Sequence, residues 1–162
     1  MSEALHVERQ QVAAWVHVVV ALCVGGSLVS MVAASPDGGR WWAVVPAALL
    51  VAIYGVFSPM AVRVESGEMT VDFGYFGRPR WRFPIAEIRD ARVVEFSPLR
   101  QYGGWGIRAG RDSVCLNQRG NRGVRFGFLG RDYVIGSDDP ARLLAALRTA
   151  GAGMAGDAPD QR

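Results

Sequence analysis

The sequence has no lysine. All 18 of its basic residues are arginine, so every cation is a planar, multi-donor guanidinium and none is a flexible ammonium. This uniformity is a composition bias rather than a functional signal. Histidine is nearly absent too. His6 and His17 are the only two, and Cys23 and Cys115 are the only cysteines. No spacing among these four reads as a zinc or haem site. The cysteines fall in different parts of the chain, so an intrachain disulfide is not expected, and two reduced thiols suit a cytoplasmic domain. Also missing are a nucleophile elbow, a phosphate-binding loop, a histidine pair and a carboxylate dyad. Asp138 and Asp139 read as a helix cap. The expectation is a protein that is not an enzyme and needs no cofactor or metal.

Formal charge is missing from two long windows, between Arg9 and Asp37 and between Arg40 and Arg63. A helix over 12–34 would be roughly 35 Å long against a hydrocarbon core of about 30 Å, and 41–62 is similar. These lengths predict a two-helix transmembrane hairpin over 12–62, preceded by a cytoplasmic tail at 1–11. Glu3 and Glu8 against Arg9 give an acidic start, and the first apolar run is too long for a signal peptide. Residues 63–136 carry thirteen Arg and eight acids, a net of +5. The positive-inside rule therefore places this block, and both termini, on the cytoplasmic side of the inner membrane. The outer loop over 35–40 is too short to hold a site. Trp15, Trp41 and Trp42 sit where interfacial aromatics belong. His17, about one and a half turns into the first helix, reads as an interface residue. Small residues at four-residue spacing (Ala21 and Gly25, Gly26 and Ser30, Ala48 and Ala52) suit packing within the hairpin or, through the same faces, a homo-oligomer.

From Ala61 the apolar period changes from helical to two. Val62 and Val64; Met69, Val71, Phe73 and Tyr75; and Trp81 and Phe83 alternate with polar residues or glycine. Residues 89–96 read as a strand with a blurred pattern that suits a bulge. Further strands follow around 105–109, 114–116, 124–128 and 133–135. Ser137-Asp138-Asp139-Pro140 then opens a helix with Leu143, Leu144 and Leu147 on one face. Gly151 ends it, and 151–162 reads as a disordered tail. The expected fold is a membrane α-hairpin plus an all-β barrel or sandwich of seven or eight antiparallel strands over 63–150, closed by a C-terminal α-helix.

Three stretches carry a family resemblance: "WRFPIAEIRDARVVEF" (81–96), "YGGWGIR" (102–108), and "GNRGVRF" (120–126) with "YVIGSDDPARLLAAL" (133–147). Following an apolar hairpin, they resemble the bacterial pleckstrin-homology-like domains of small, uncharacterised membrane proteins. The resemblance implies a fold and a topology and no established activity. Lipid-binding pleckstrin-homology domains use a basic first hairpin loop. Here that turn is Ser66-Gly67-Glu68, without an arginine, so phosphoinositide binding is not carried over.

The stretch 102–108 admits two readings. In the first, Gly103 and Gly104 take positive φ, turn the chain sharply and lay Trp105 inward. Tyr102 closes over the edge, and Gly106 leaves room for a close neighbour. In the second, Tyr102 and Trp105 form a shallow pocket with Arg108 at its rim. The hairpin "NQRGNRGVRF" divides likewise: Arg119, Arg122 and Arg125 are solvated charges, or with Arg108 they make an anion-binding patch. The leading expectation is an interaction module for a protein partner, with strand edges open to strand addition. The alternative is a sensor of anionic lipid headgroups. Nucleic acid is not expected, because the alternation buries most of the aromatics.

Overall fold

The structure, a computed structural model, describes residues 4–12, 14–33 and 41–151. The chain enters on a strand, where a tail was expected. Strand β1 (His6–Gln10) lies antiparallel to β2 (Met60–Glu65) with His6 opposite Val64 and Gln10 opposite Met60. Between these partners in sequence come α1 (Ala14–Ala33) and α2 (Trp41–Phe57). The helical hairpin is therefore an insertion between two neighbouring strands of one sheet. Strands β3 (Glu68–Phe73) and β4 (Arg80–Pro84) complete that sheet in the order β1-β2-β3-β4.

A 3-10 turn at Ile85–Glu87 leads to the second sheet. It is built from β5 (Arg89–Glu95), β6 (Gly106–Ala109), β7 (Ser113–Asn117), β8 (Arg122–Phe128) and β9 (Arg131–Gly136) in the order β5-β8-β9-β7-β6. The pair β7 and β9 is parallel, and the other pairs are antiparallel. A short helix α3 (Pro98–Tyr102) lies between β5 and β6, and α4 (Pro140–Thr149) follows β9. The blurred alternation of β5 has a local cause. Asp90 takes φ 54°, and the register to β8 shifts between Arg89 and Arg92, as in a bulge.

Alternation puts Met60, Val62 and Val64 opposite Phe73, Val71 and Met69, and all six are fully buried. From β4, Phe83 meets Phe126, Phe128 and Tyr133 of the second sheet edge-on, at centroid distances of 5.0 to 5.2 Å. Each such side chain contributes roughly 1.5–3 kcal/mol by leaving water. Helix α4 adds Leu143 and Leu147 to the same core. Its entry is capped by Asp139, which accepts from the Arg142 amide at 3.0 Å.

The expected single barrel or sandwich of seven or eight antiparallel strands is corrected. Two separate sheets of four and five strands are present, they do not close on each other, and one strand pair is parallel. The expected two-span hairpin is corrected as well. Among the described residues no helix is long and apolar enough to cross a membrane. The second leg was expected over 41–62, but it stops at Phe57 and has 17 residues, about 25 Å at 1.5 Å per residue. Ser58-Pro59 interrupts it, and Met60 is already paired with Phe73. The multi-pass inner-membrane placement, which rested on those two spans, falls with them. The loop at 35–40 and the tail at 152–162 lie outside the described residues.

One close approach is set by a single side chain. Asn117, fully buried, lies over Gly136, where any added Cβ would collide with its carboxamide. Gly136→Ala is expected to cost about 1–3 kcal/mol through this overpacking. A urea unfolding midpoint lowered accordingly would check it.

Candidate functional site

The aromatic-glycine stretch lines a groove of about 730 Å³ between the helical hairpin and the edge strand β6. Its geometry starts at α3. Ser97 caps that helix by accepting from the Arg100 amide at 3.4 Å, and Pro98 fills the first turn. Gly103 ends it in the left-handed region at φ 70°, donating to Leu99 O. Gly104 (φ 137°) and Gly106 (φ 96°) continue in conformations that a side chain would strain. The chain thus passes from helix to edge strand within three residues, with Trp105 the only side chain of the passage.

Trp105 does not point into the core. It is 40% exposed, and its indole Nε1 donates to Gly120 O at 3.3 Å. The same carbonyl accepts from Asn117 Nδ2 at 3.2 Å, while Asn117 Oδ1 accepts from the Arg119 amide. The turn 118–120 and the start of β6 are thereby tied together. Tyr102 is the inward residue. Its ring meets Phe96 edge-on at 6.0 Å, and its hydroxyl shares a 2.6 Å hydrogen bond with Ser113. It packs on a small cluster of Phe96, Cys115 and Val134 on the outer side of the second sheet. Burial there pushes the Cys115 thiol up to about 12.

The four arginines do not form one patch. Arg119 makes a two-pronged contact with Asp138, Nε to Oδ1 at 3.1 Å and Nη2 to Oδ2 at 2.6 Å. Those hydrogen bonds, and then the charge of Asp138, raise its pKa above the ordinary arginine value. Arg125 bonds Asp132 at 2.6 Å, and Arg122 lies 3.8 Å from Glu95. Arg108 donates its Nε to Trp105 O at 3.1 Å, and among the described residues no carboxylate lies within 4 Å of it. Arg108 and Arg119 line the groove; Arg122 and Arg125 do not.

Glu8 is the residue that the sequence pattern missed. From β1 its carboxylate accepts from Ser137 Oγ at 2.5 Å, from the Asp138 amide at 2.6 Å and from Gln10 Nε2 at 2.8 Å. Asp138 in turn holds Arg119. A chain of polar contacts therefore runs from the first strand to the turn beside Trp105. Alternation could not reveal this, because β1 buries its polar residues. His6 and Gln10 are buried while Val7 is exposed.

Two sheets carrying an inserted helical hairpin, with an amphipathic groove at their junction, define a two-sheet β domain with a presented helical arm. No protein-family model matches the chain, nor does any curated protein. The resemblance to pleckstrin-homology-like membrane proteins is therefore corrected, as it finds no family match and the spanning hairpin that accompanied it is not seen.

Glu8→Ala removes an acceptor shared by Ser137, the Asp138 amide and Gln10, with His6 Nε2 3.4 Å away as a fourth partner, and is expected to destabilise the fold by about 2–4 kcal/mol, from the usual weight of charge-assisted hydrogen bonds. Chemical denaturation checks it. Trp105→Ala, at a half-exposed site, is expected to cost less than the roughly 3–5 kcal/mol of a buried aromatic and to leave the domain folded by circular dichroism. The folded protein keeps the Cys115 proton at pH values where the unfolded chain has lost it. This contribution to stability is therefore present below pH 9 and lost as pH rises toward about 12. At neutral pH a maleimide should modify exposed Cys23 and spare Cys115 until the protein unfolds, which mass spectrometry reads directly.

Proposed function

We propose that the chain is a non-enzymatic interaction module that docks onto a protein partner through the far half of its helical hairpin. One observation carries this reading: among the described residues, α1 and α2 leave twelve large apolar side chains exposed, including Leu22, Leu28, Val29, Val45, Leu49 and Val51. Neither helix has a charged residue. The two helices pack against each other, His17 meeting Tyr54 edge-on at 5.6 Å, yet Val16, Val20, Val24, Val44, Ala47, Leu50 and Tyr54 are only half-buried. An apolar surface of this extent is a place for a partner. The surface without charge calls for a partner that presents apolar helices.

The hairpin also leaves a cleft of about 420 Å³ between its legs, lined by Val24, Ser27, Leu28, Ala47, Ala48 and Val51 among others. Small side chains on both walls let a third helix approach closely. Gly25 and Gly26 have no neighbour within 4 Å of where a Cβ would be, so their small size serves no packing inside this hairpin.

Cys23, exposed on α1, makes the test direct. The full chain, labelled there with a maleimide-benzophenone and returned to extract of its own cells, should give one discrete protein adduct on irradiation. Leu22→Glu with Leu49→Glu should abolish the adduct without unfolding the β domain. Adducts with lipid alone, or an unselective smear that survives both substitutions, would defeat the proposal.

A further inference from the structure

The groove beside Trp105 carries chemistry that protein docking at the far half of the hairpin does not use. Its upper wall is apolar, from Trp15, Val16 and Val20 of α1 and Leu50, Ile53 and Tyr54 of α2. Its lower wall is the start of β6 and the turn 118–120. About 730 Å³ is within the usual size of a small-molecule site, and such sites pair an apolar lining with a few convergent polar groups. Two polar side chains here have unused capacity.

Gln118 lines the groove and is 7% exposed, yet its Oε1 is buried with no hydrogen-bond donor. A buried carbonyl oxygen without a donor is rare and costly, so it calls for an explanation. Arg108 commits only its Nε, to the Trp105 carbonyl. Its terminal amino groups face no carboxylate among the described residues. Both residues line the same groove, and the Arg108 side chain folds back to the Trp105 carbonyl. Among the described residues no carboxylate lines the groove, and the guanidinium of Arg119 is held by Asp138.

We propose that this groove binds a single-chain anionic amphiphile. The alkyl chain lies along the apolar wall of α1 and α2, the anionic group rests on the terminal amino groups of Arg108, and an adjacent N–H or O–H donates to Gln118 Oε1. The anion selects a planar fork that no acid among the described residues occupies. The donor satisfies the buried Gln118 oxygen that folding leaves unpaired. The tail covers side chains, such as Trp15, that are otherwise in water.

N-dodecanoylglycine supplies all three features. N-dodecanoylsarcosine keeps the chain and the charge but replaces the N–H by N-methyl, and the methyl ester of dodecanoylglycine keeps the N–H and loses the charge. Titration calorimetry on the full chain, with each probe below its micelle concentration, should give one saturable site for dodecanoylglycine. The other two probes should bind about tenfold or more weakly, the usual consequence of losing one buried or charge-assisted hydrogen bond. Arg108→Gln should weaken dodecanoylglycine and dodecanoylsarcosine alike. Gln118→Met should erase the difference between those two probes, an effect that general damage to the fold would not produce. Arg122→Gln, away from the groove, should change nothing. Three probes bound alike, uptake of many molecules per chain, or no saturable binding would overturn the proposal. The docking test at Cys23 is read on the other half of the hairpin, so either result can stand without the other.

Discussion

The carboxylate of Glu8 joins the two ends of this fold. It sits on the first strand and bonds the loop that opens the last helix. The hairpin of α1 and α2 separates β1 from β2 by about fifty residues of sequence, and closing so long a connection carries an entropic cost. Pairing of β1 along β2 offsets part of that cost. The bonds of Glu8 to Ser137 and the Asp138 amide fasten the strand to the opposite end of the chain. Asp138 then orients Arg119, and the turn that follows holds the Trp105 indole. The position of the groove is thus tied to a residue that does not itself line it.

The same sheet fixes the hairpin at its second root. Gly74 donates its amide to Pro59 O, and Tyr75 donates to Gly55 O near the C-terminus of α2. Gly74 takes φ 74° and lies so close to the Val56 carbonyl that no Cβ would fit. The Gly55 carbonyl, whose partner four residues on would be Pro59 with no N–H, is thus satisfied by the β3–β4 turn. Both legs leave from neighbouring strands. The hairpin is consequently anchored to the same sheet at both of its roots.

Where one face of a strand is apolar, alternation places it well. Val62, Val71, Phe83, Val124 and Phe126 all mark core positions by a period of two, and Asp139 with Pro140 marks the start of α4. Strand β1 escapes because its buried residues are His6 and Gln10, which no apolar pattern reports. The end of α2 escapes because Met60 and Val62 continue an apolar run while changing from helix to strand. Trp105 escapes for a different reason: a tryptophan beside glycines fits a buried turn as well as a half-open groove, and only the Gly120 carbonyl decides between them. The arginine cluster is close in sequence, but each of Arg119, Arg122 and Arg125 meets an acid that folding brings from elsewhere. Charge counts along a chain do not contain such pairings.

The central claim is that the far half of the hairpin is an interface whose partner is a protein. Carbene footprinting measures side-chain accessibility directly and needs no substitution. In the purified chain Leu22, Leu28, Leu49 and Val51 should label heavily. In the assembly isolated from its own cells they should be protected, while Leu129 on the β8–β9 turn, 78% exposed, labels equally in both. Equal labelling of the hairpin in both samples would contradict the account.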